Sequence, residues 1–206
     1  ILEAPDFLYR PALGDPDLGG ALDGYELATR LSFFLWDTIP DAALLDAAAS
    51  GALVTDDGLS AEVDRMLADP RAEDGLRAFV TDWLGLAELS DLSKDPMVFL
   101  AAGPELGPAM REETLRFVVH HVRDLDAPFP DLLLSRETFV DRRLAALYEV
   151  RAPVMEGFAP VTLPEDGERR GLLGQASVLS IWAHPTSSSP TRRGLFVRET
   201  LLCQSV

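Results

Sequence analysis

Leu76-Arg77-Ala78-Phe79-Val80-Thr81-Asp82-Trp83-Leu84 is the stretch whose reading decides the fold class. Leu76, Phe79, Val80, Trp83 and Leu84 recur at i, i+3, i+4, i+7 and i+8, which is one stripe of an α-helix, and Gly85 marks its end. The period continues on both sides. Upstream, Leu27, Ala28, Leu31, Phe34 and Leu35 mark a helix over about 25–36, stopped by Pro40. A short Ala-rich helix follows Asp41 through Leu44, Leu45 and Ala48, and Leu59, Val63, Met66 and Leu67 form another before Asp69-Pro70.

Downstream, 86–103 is irregular. A long helix runs from about 104 to 124, with Met110, Thr114, Phe117, Val118, His121 and Leu125 on its apolar line. A brief turn near 131–134 precedes a helix over 135–148. Segment 151–167 is Pro-rich, with at most one short extended piece at 160–163. Segment 169–182 is apolar almost all round and belongs in the centre of a domain. Ser187-Ser188-Ser189 leads to Pro190 at a first-turn position and a last helix to about Cys203. No alternating strand pattern of hairpin quality occurs. The expected fold is all-α, an irregular bundle of seven or eight helices with long loops.

Composition narrows the class of partner. Lys+Arg is 18 against Asp+Glu 34, a formal charge of −16 over 206 residues. Nucleic acids and anionic membranes need a basic face, so that balance argues against both. No apolar run of about 18 residues is present, so no transmembrane segment is expected. The single cysteine, Cys203, leaves no internal disulfide, CxxC metal knuckle or c-type haem attachment within the chain. Cys203 reads either as a buried small hydrophobe or as a half-cystine with a partner beyond Val206. The first and last residues, Ile1 and Val206, read as the edges of a piece of a longer polypeptide.

Chemistry-bearing residues are few. Glu113, His120 and Asp124 share a helix face, so a carboxylate–imidazole–carboxylate metal site can be drawn there. Against it, His121 points about 100° away from His120 and cannot share the ion. The ordinary reading is a hydrogen-bonded core His121 and a surface pair of His120 with Asp124. His184, in Trp182-Ala183-His184-Pro185, can ligate a haem of a neighbouring domain, act as base to a nearby serine, or pack a loop. Arg192 and Arg193, close to Ser187–Ser189 in sequence, can hold an anion or propionate, or pair with some of the many carboxylates. No acid/base dyad, P-loop, calcium loop or dinucleotide fingerprint is present, so no catalytic residue is assigned. Trp36, Trp83 and Trp182 read as core anchors, and truncating Trp83 or Phe79 is expected to cost about 3–5 kcal/mol.

Several strings together carry a family resemblance. Leu27-Ala28-Thr29-Arg30-Leu31-Ser32-Phe33-Phe34-Leu35-Trp36 with Ile39-Pro40-Asp41, then Met66-Leu67-Ala68-Asp69-Pro70-Arg71 and Phe79 with Trp83-Leu84, are the first group. Phe139, Leu144-Ala145 and Tyr148 continue it. The second group is Arg170-Gly171-Leu172-Leu173-Gly174-Gln175-Ala176-Ser177 with Ser189-Pro190-Thr191-Arg192-Arg193-Gly194, Val197 and Glu199. The chain resembles the helical domains of unknown function of planctomycete-type, cytochrome-associated large exported proteins. In these, the module pair normally precedes a CxxCH haem-attachment segment.

The resemblance implies a first helical module over 1–150. Residues 151–206 would be the N-terminal part of a companion module, packed with the first as one compact unit and truncated before the haem-binding segment. It implies a non-catalytic structural or docking role beside a haem domain, or the substrate-pocket part of an oxidoreductase whose haem lies in the adjoining region. The cofactor is then haem c outside this chain, with His184, Arg192 and Arg193 facing it or an anion. The partners would be the adjoining cytochrome-like domain or other subunits of a surface assembly. The location would be periplasmic or cell-surface.

Overall fold

The computed structural model describes residues 9, 13–14, 19–99 and 103–205. Helix accounts for 59% of the described residues and strand for 5%, so the all-α expectation holds in outline. Ten α-helices occur among the described residues, more than the seven or eight expected, with one small antiparallel sheet. The chain divides into two compact units, Ile1–Ala78 and Phe79–Val206.

In the first unit, α1 (Gly24–Trp36) opens with a capping box, the Asp23 carboxylate accepting from the Glu26 N–H and Glu26 reaching back to the Asp23 N–H. Asp41 caps α2 (Ala42–Ala49), and Thr55 caps α3 (Asp56–Ala68) after a 3₁₀ turn at Ala52–Val54. The core gathers Ala28, Trp36, Leu44, Leu53 and Met66. The buried side of α1 is thus Ala28, Ser32 and Trp36, and Phe34 lies 81% exposed. The indole Nε1 of Trp36 donates to the Met66 carbonyl at 2.9 Å, so the largest core side chain is also polar-satisfied.

Helix α4 (Arg71–Leu84) confirms the deciding stretch as helical but rotates its register. Its buried line is Ala72, Val80 and Leu84, whereas Phe79 is 59% exposed and stacks on a half-buried Trp83 with ring centroids 5.8 Å apart. Phe79 is therefore not the core anchor expected of it. The periodicity is that of a helix either way. An aromatic at the edge of the stripe fits it as well as one at the centre.

The second unit is built on α5 (Leu106–Val119), which continues through a π-helical turn, His120–Asp124. A 3₁₀ segment at Leu86–Asp91 packs against it, and Gly107 permits the approach: a Cβ there would meet the Leu89 carbonyl oxygen at 1.9 Å. Next come α6 (Phe129–Leu134), β1 (Glu137–Val140), α7 (Arg142–Leu147) and β2 (Ala159–Thr162). β1 and β2 pair antiparallel, Glu137 opposite Thr162 and Val140 opposite Ala159. The helix expected over 135–148 is therefore a strand followed by one and a half turns of helix. Asp141 makes the switch by accepting from the Arg143 and Leu144 N–H groups as an N-cap. Buried Thr138 and Val140 alternate with half-buried neighbours, a pattern too short to stand out in the sequence.

Segment 169–182 forms two short helices, α8 (Gly171–Gly174) and α9 (Ala176–Ile181), parted at Gln175 in extended conformation. Finally, Ser189 caps α10 (Pro190–Phe196), which passes into a π turn over Val197–Leu201. Cys203 is exposed, which removes the buried-hydrophobe reading of it. Among the described residues no helix is long and apolar enough to cross a membrane.

Candidate functional site

Two neighbourhoods of the second unit concentrate polar chemistry, and Arg169 takes part in both. The first is the buried Glu113 on α5. Its carboxylate accepts from Thr138 Oγ1 on β1 at 2.7 Å and from the Tyr148 hydroxyl after α7 at 2.6 Å. Tyr148 Oη in turn accepts the Ala176 N–H at 2.8 Å. That N–H is available because the helix breaks at Gln175, so Ala176 opens α9 without an intrahelical partner. Burial pushes the Glu113 carboxyl up to about 7, against the downward pull of the two hydroxyls and of the Arg169 charge. The Arg169 guanidinium lies 4.8 Å from the centre of the Tyr148 ring. Gln175 Nε2 reaches Thr138 Oγ1 at 3.5 Å, while its Oε1 is buried without a partner among the described residues. The void beside this cluster is about 10 Å³, no larger than one water.

The second neighbourhood is an open cavity of about 500 Å³. Leu106 and Met110 of α5, Leu147 of α7 and Leu179 of α9 supply apolar wall; Lys94, Arg169 and Arg193 supply positive charge, beside Ser187 and Ser188. Lys94 is the only lysine in the chain. Its amine donates to the carbonyls of Ser180 at 2.8 Å, His184 at 3.1 Å and Ala183 at 3.4 Å, tying the segment after the 3₁₀ turn to the C-terminal end of α9. Burial and the nearby Arg192 charge lower its pKa.

The residues singled out in the sequence divide accordingly. Arg193 lines the cavity. Arg192 is exposed and donates to the Ala183 carbonyl at 3.2 Å. His184 is exposed, its N–H bonded to the Ser187 carbonyl and its own carbonyl to Lys94. His120 Nδ1 pairs with Asp124 at 2.8 Å, and buried His121 bonds the Phe117 carbonyl at 2.8 Å with its ring 4.3 Å from that of Phe117. Glu113 does not join His120 and Asp124, since its oxygens are turned to Thr138 and Tyr148. Among the described residues no three His, Cys, Asp or Glu side chains stand close enough to hold a metal ion.

Sequence reasoning passed over Lys94, Arg169, Thr138, Tyr148 and Gln175 as a set. One signal was present: Glu113 lies three residues after Met110 and four before Phe117, which puts a carboxylate on the apolar line and demands buried partners for it.

The second unit is thus a helical body with a two-stranded clasp and a polar core knot. Residues 22–150 match the family described as "PSD4: Protein of unknown function (DUF1592)", and residues 169–206 match "PSCyt3: Protein of unknown function (DUF1588)". The chain belongs to the DUF1592 family, and its residues 169–206 are similar to DUF1588. These are the paired planctomycete-type cytochrome-associated domains that the sequence resembles. No curated protein and no solved structure matches the chain.

Proposed function

We propose that the chain is a structural and docking module that supports or shields an adjoining c-type haem domain in a large exported protein. The observation that carries this reading is how the buried polar side chains are spent. Glu113 fastens β1 and the end of α7 to α5, Lys94 clamps three carbonyls in the last turn of α9 and just beyond it, and Thr114 Oγ1 meets Ser177 Oγ at 2.6 Å between α5 and α9. Each polar group braces one segment against another, which is the use expected of a scaffold. Haem c would reside in the adjoining region and the location would be periplasmic or at the cell surface. Visible spectroscopy and metal analysis of the purified 206-residue chain test this. The chain should be colourless and metal-free, and a Soret band or stoichiometric metal overturns the reading.

The cavity supports a second reading, in which this module forms part of the substrate pocket of an oxidoreductase whose haem is carried next door. Arg193 lines that cavity, and His184 and Arg192 are bonded to the loop beside it. In the haem-bearing parent, His184→Ala together with Arg193→Gln should lower turnover while leaving the folded fraction unchanged. Unaltered turnover and redox spectra would remove this reading.

A further inference from the structure

We infer that the cavity between α5, α9 and the 183–193 segment is a binding site for a small amphipathic carboxylate, an apolar body ending in one anionic head. This rests on neither reading above, since it requires no haem domain and no turnover.

The argument begins with charge. Acidic residues outnumber basic ones 34 to 18 in the chain, so a surface patch drawn at random is mostly acidic. Among the described residues that line this cavity none is Asp or Glu, while Lys94, Arg169 and Arg193 all face it. A cation-only lining in so acidic a protein favours anions and repels cations.

The three cations are not equivalent. The Lys94 amine already has three carbonyl acceptors, and one Arg169 nitrogen donates to the Gly174 carbonyl at 3.0 Å. These two supply field more than free donors. Arg193 is a half-buried residue, and its guanidinium has no hydrogen-bond or ion-pair partner among the described residues, though the chain carries many carboxylates. A guanidinium without a partner in an acidic protein is a donor fork waiting for an acceptor, and a carboxylate is its best geometric match. Ser187 and Ser188 also line the cavity.

The remaining wall decides the rest of the ligand. Leu106, Met110, Leu147, Ala176 and Leu179 form an apolar floor, and about 500 Å³ is the size of a small-molecule site. A bare inorganic anion would leave that floor wetted, whereas an apolar tail would cover it. Head and tail together specify the ligand class.

Isothermal titration of the 206-residue chain with decanoate, 1-decanol and decyltrimethylammonium tests the assignment. Decanoate should bind one to one, at least about tenfold more tightly than decanol, with no binding of the ammonium ion, and more weakly as salt rises. Arg193→Gln should weaken decanoate at least about tenfold and leave decanol and the far-UV spectrum unchanged. Leu179→Arg, which places a charge on the apolar floor, should abolish decanol binding. Equal binding of decanoate and decanol, no binding of decanoate at millimolar concentration, or an Arg193→Gln chain that binds decanoate as the parent does would each overturn it.

Discussion

The Glu113 carboxylate and the Tyr148 hydroxyl meet at 2.6 Å inside the second unit, 35 residues apart in sequence. The contact joins α5 to the end of α7, and through the Ala176 N–H it reaches α9. One acid thus organises three elements, and its ionisation sets how the fold responds to pH.

Because burial raises the folded-state pKa of Glu113 to about 7 from an ordinary 4.5, the folded protein holds a proton that the unfolded chain has released between those values. Stability therefore falls as pH rises from about 4.5 to about 7 and is level beyond, a loss of about 3 kcal/mol from this group. Glu113→Gln keeps an acceptor and removes the titration. Denaturant unfolding from pH 4.5 to 8 should slope downward for the parent chain and flatten for Glu113→Gln.

Asp41 works in the opposite direction, in the first unit. Burial opposes its ionisation, but hydrogen bonds from Arg65, the Leu44 N–H and Arg71 prevail and hold its carboxyl down to about 2. Its contribution is present above its ordinary value near 4 and disappears as pH falls through about 2. Asp41→Asn should melt at lower temperature than the parent at pH 6. The gap between them should close by pH 2, measured by circular dichroism.

Trp36 and Phe79 should separate cleanly. Trp36 is 2% exposed, bonded to the Met66 carbonyl and covered by the Arg71 guanidinium 3.5 Å from its ring centre. Trp36→Ala should cost about 3–5 kcal/mol, and Phe79→Ala under about 1 kcal/mol. Chemical denaturation of the two variants gives the comparison, and equal costs would mean that the α4 register is wrong.

Gly107 is the closest approach in the second unit. Gly107→Ala drives a methyl into the Leu89 carbonyl, which a backbone cannot give way to without moving the 3₁₀ segment. The expected cost is about 1–3 kcal/mol, read from the denaturation midpoint.

The sequence showed helices wherever a stripe is long. The boundaries at Pro40, Asp69 and Gly85 hold, because breakers and caps act on their own neighbours. Asp141 and Gln175 were illegible. Asp141 caps only its own neighbours, Arg143 and Leu144, but the short strand before it is held by pairing with β2. The break at Gln175 frees the Ala176 N–H for the distant Tyr148 hydroxyl. His120, His121 and Asp124 were read in their observed pairing because the spacing of four along one helix determines it.

Periodicity, net charge and the distinctive strings at 27–41 and 170–194 settle by themselves that this is an acidic, mostly helical member of a paired family. All of these are local or additive properties of the chain. The Glu113 knot and the cation-lined cavity draw instead on residues from Lys94 to Arg193. Which side chains converge depends on how turns and helix breaks bring distant segments together, and that information exists only once the chain has packed.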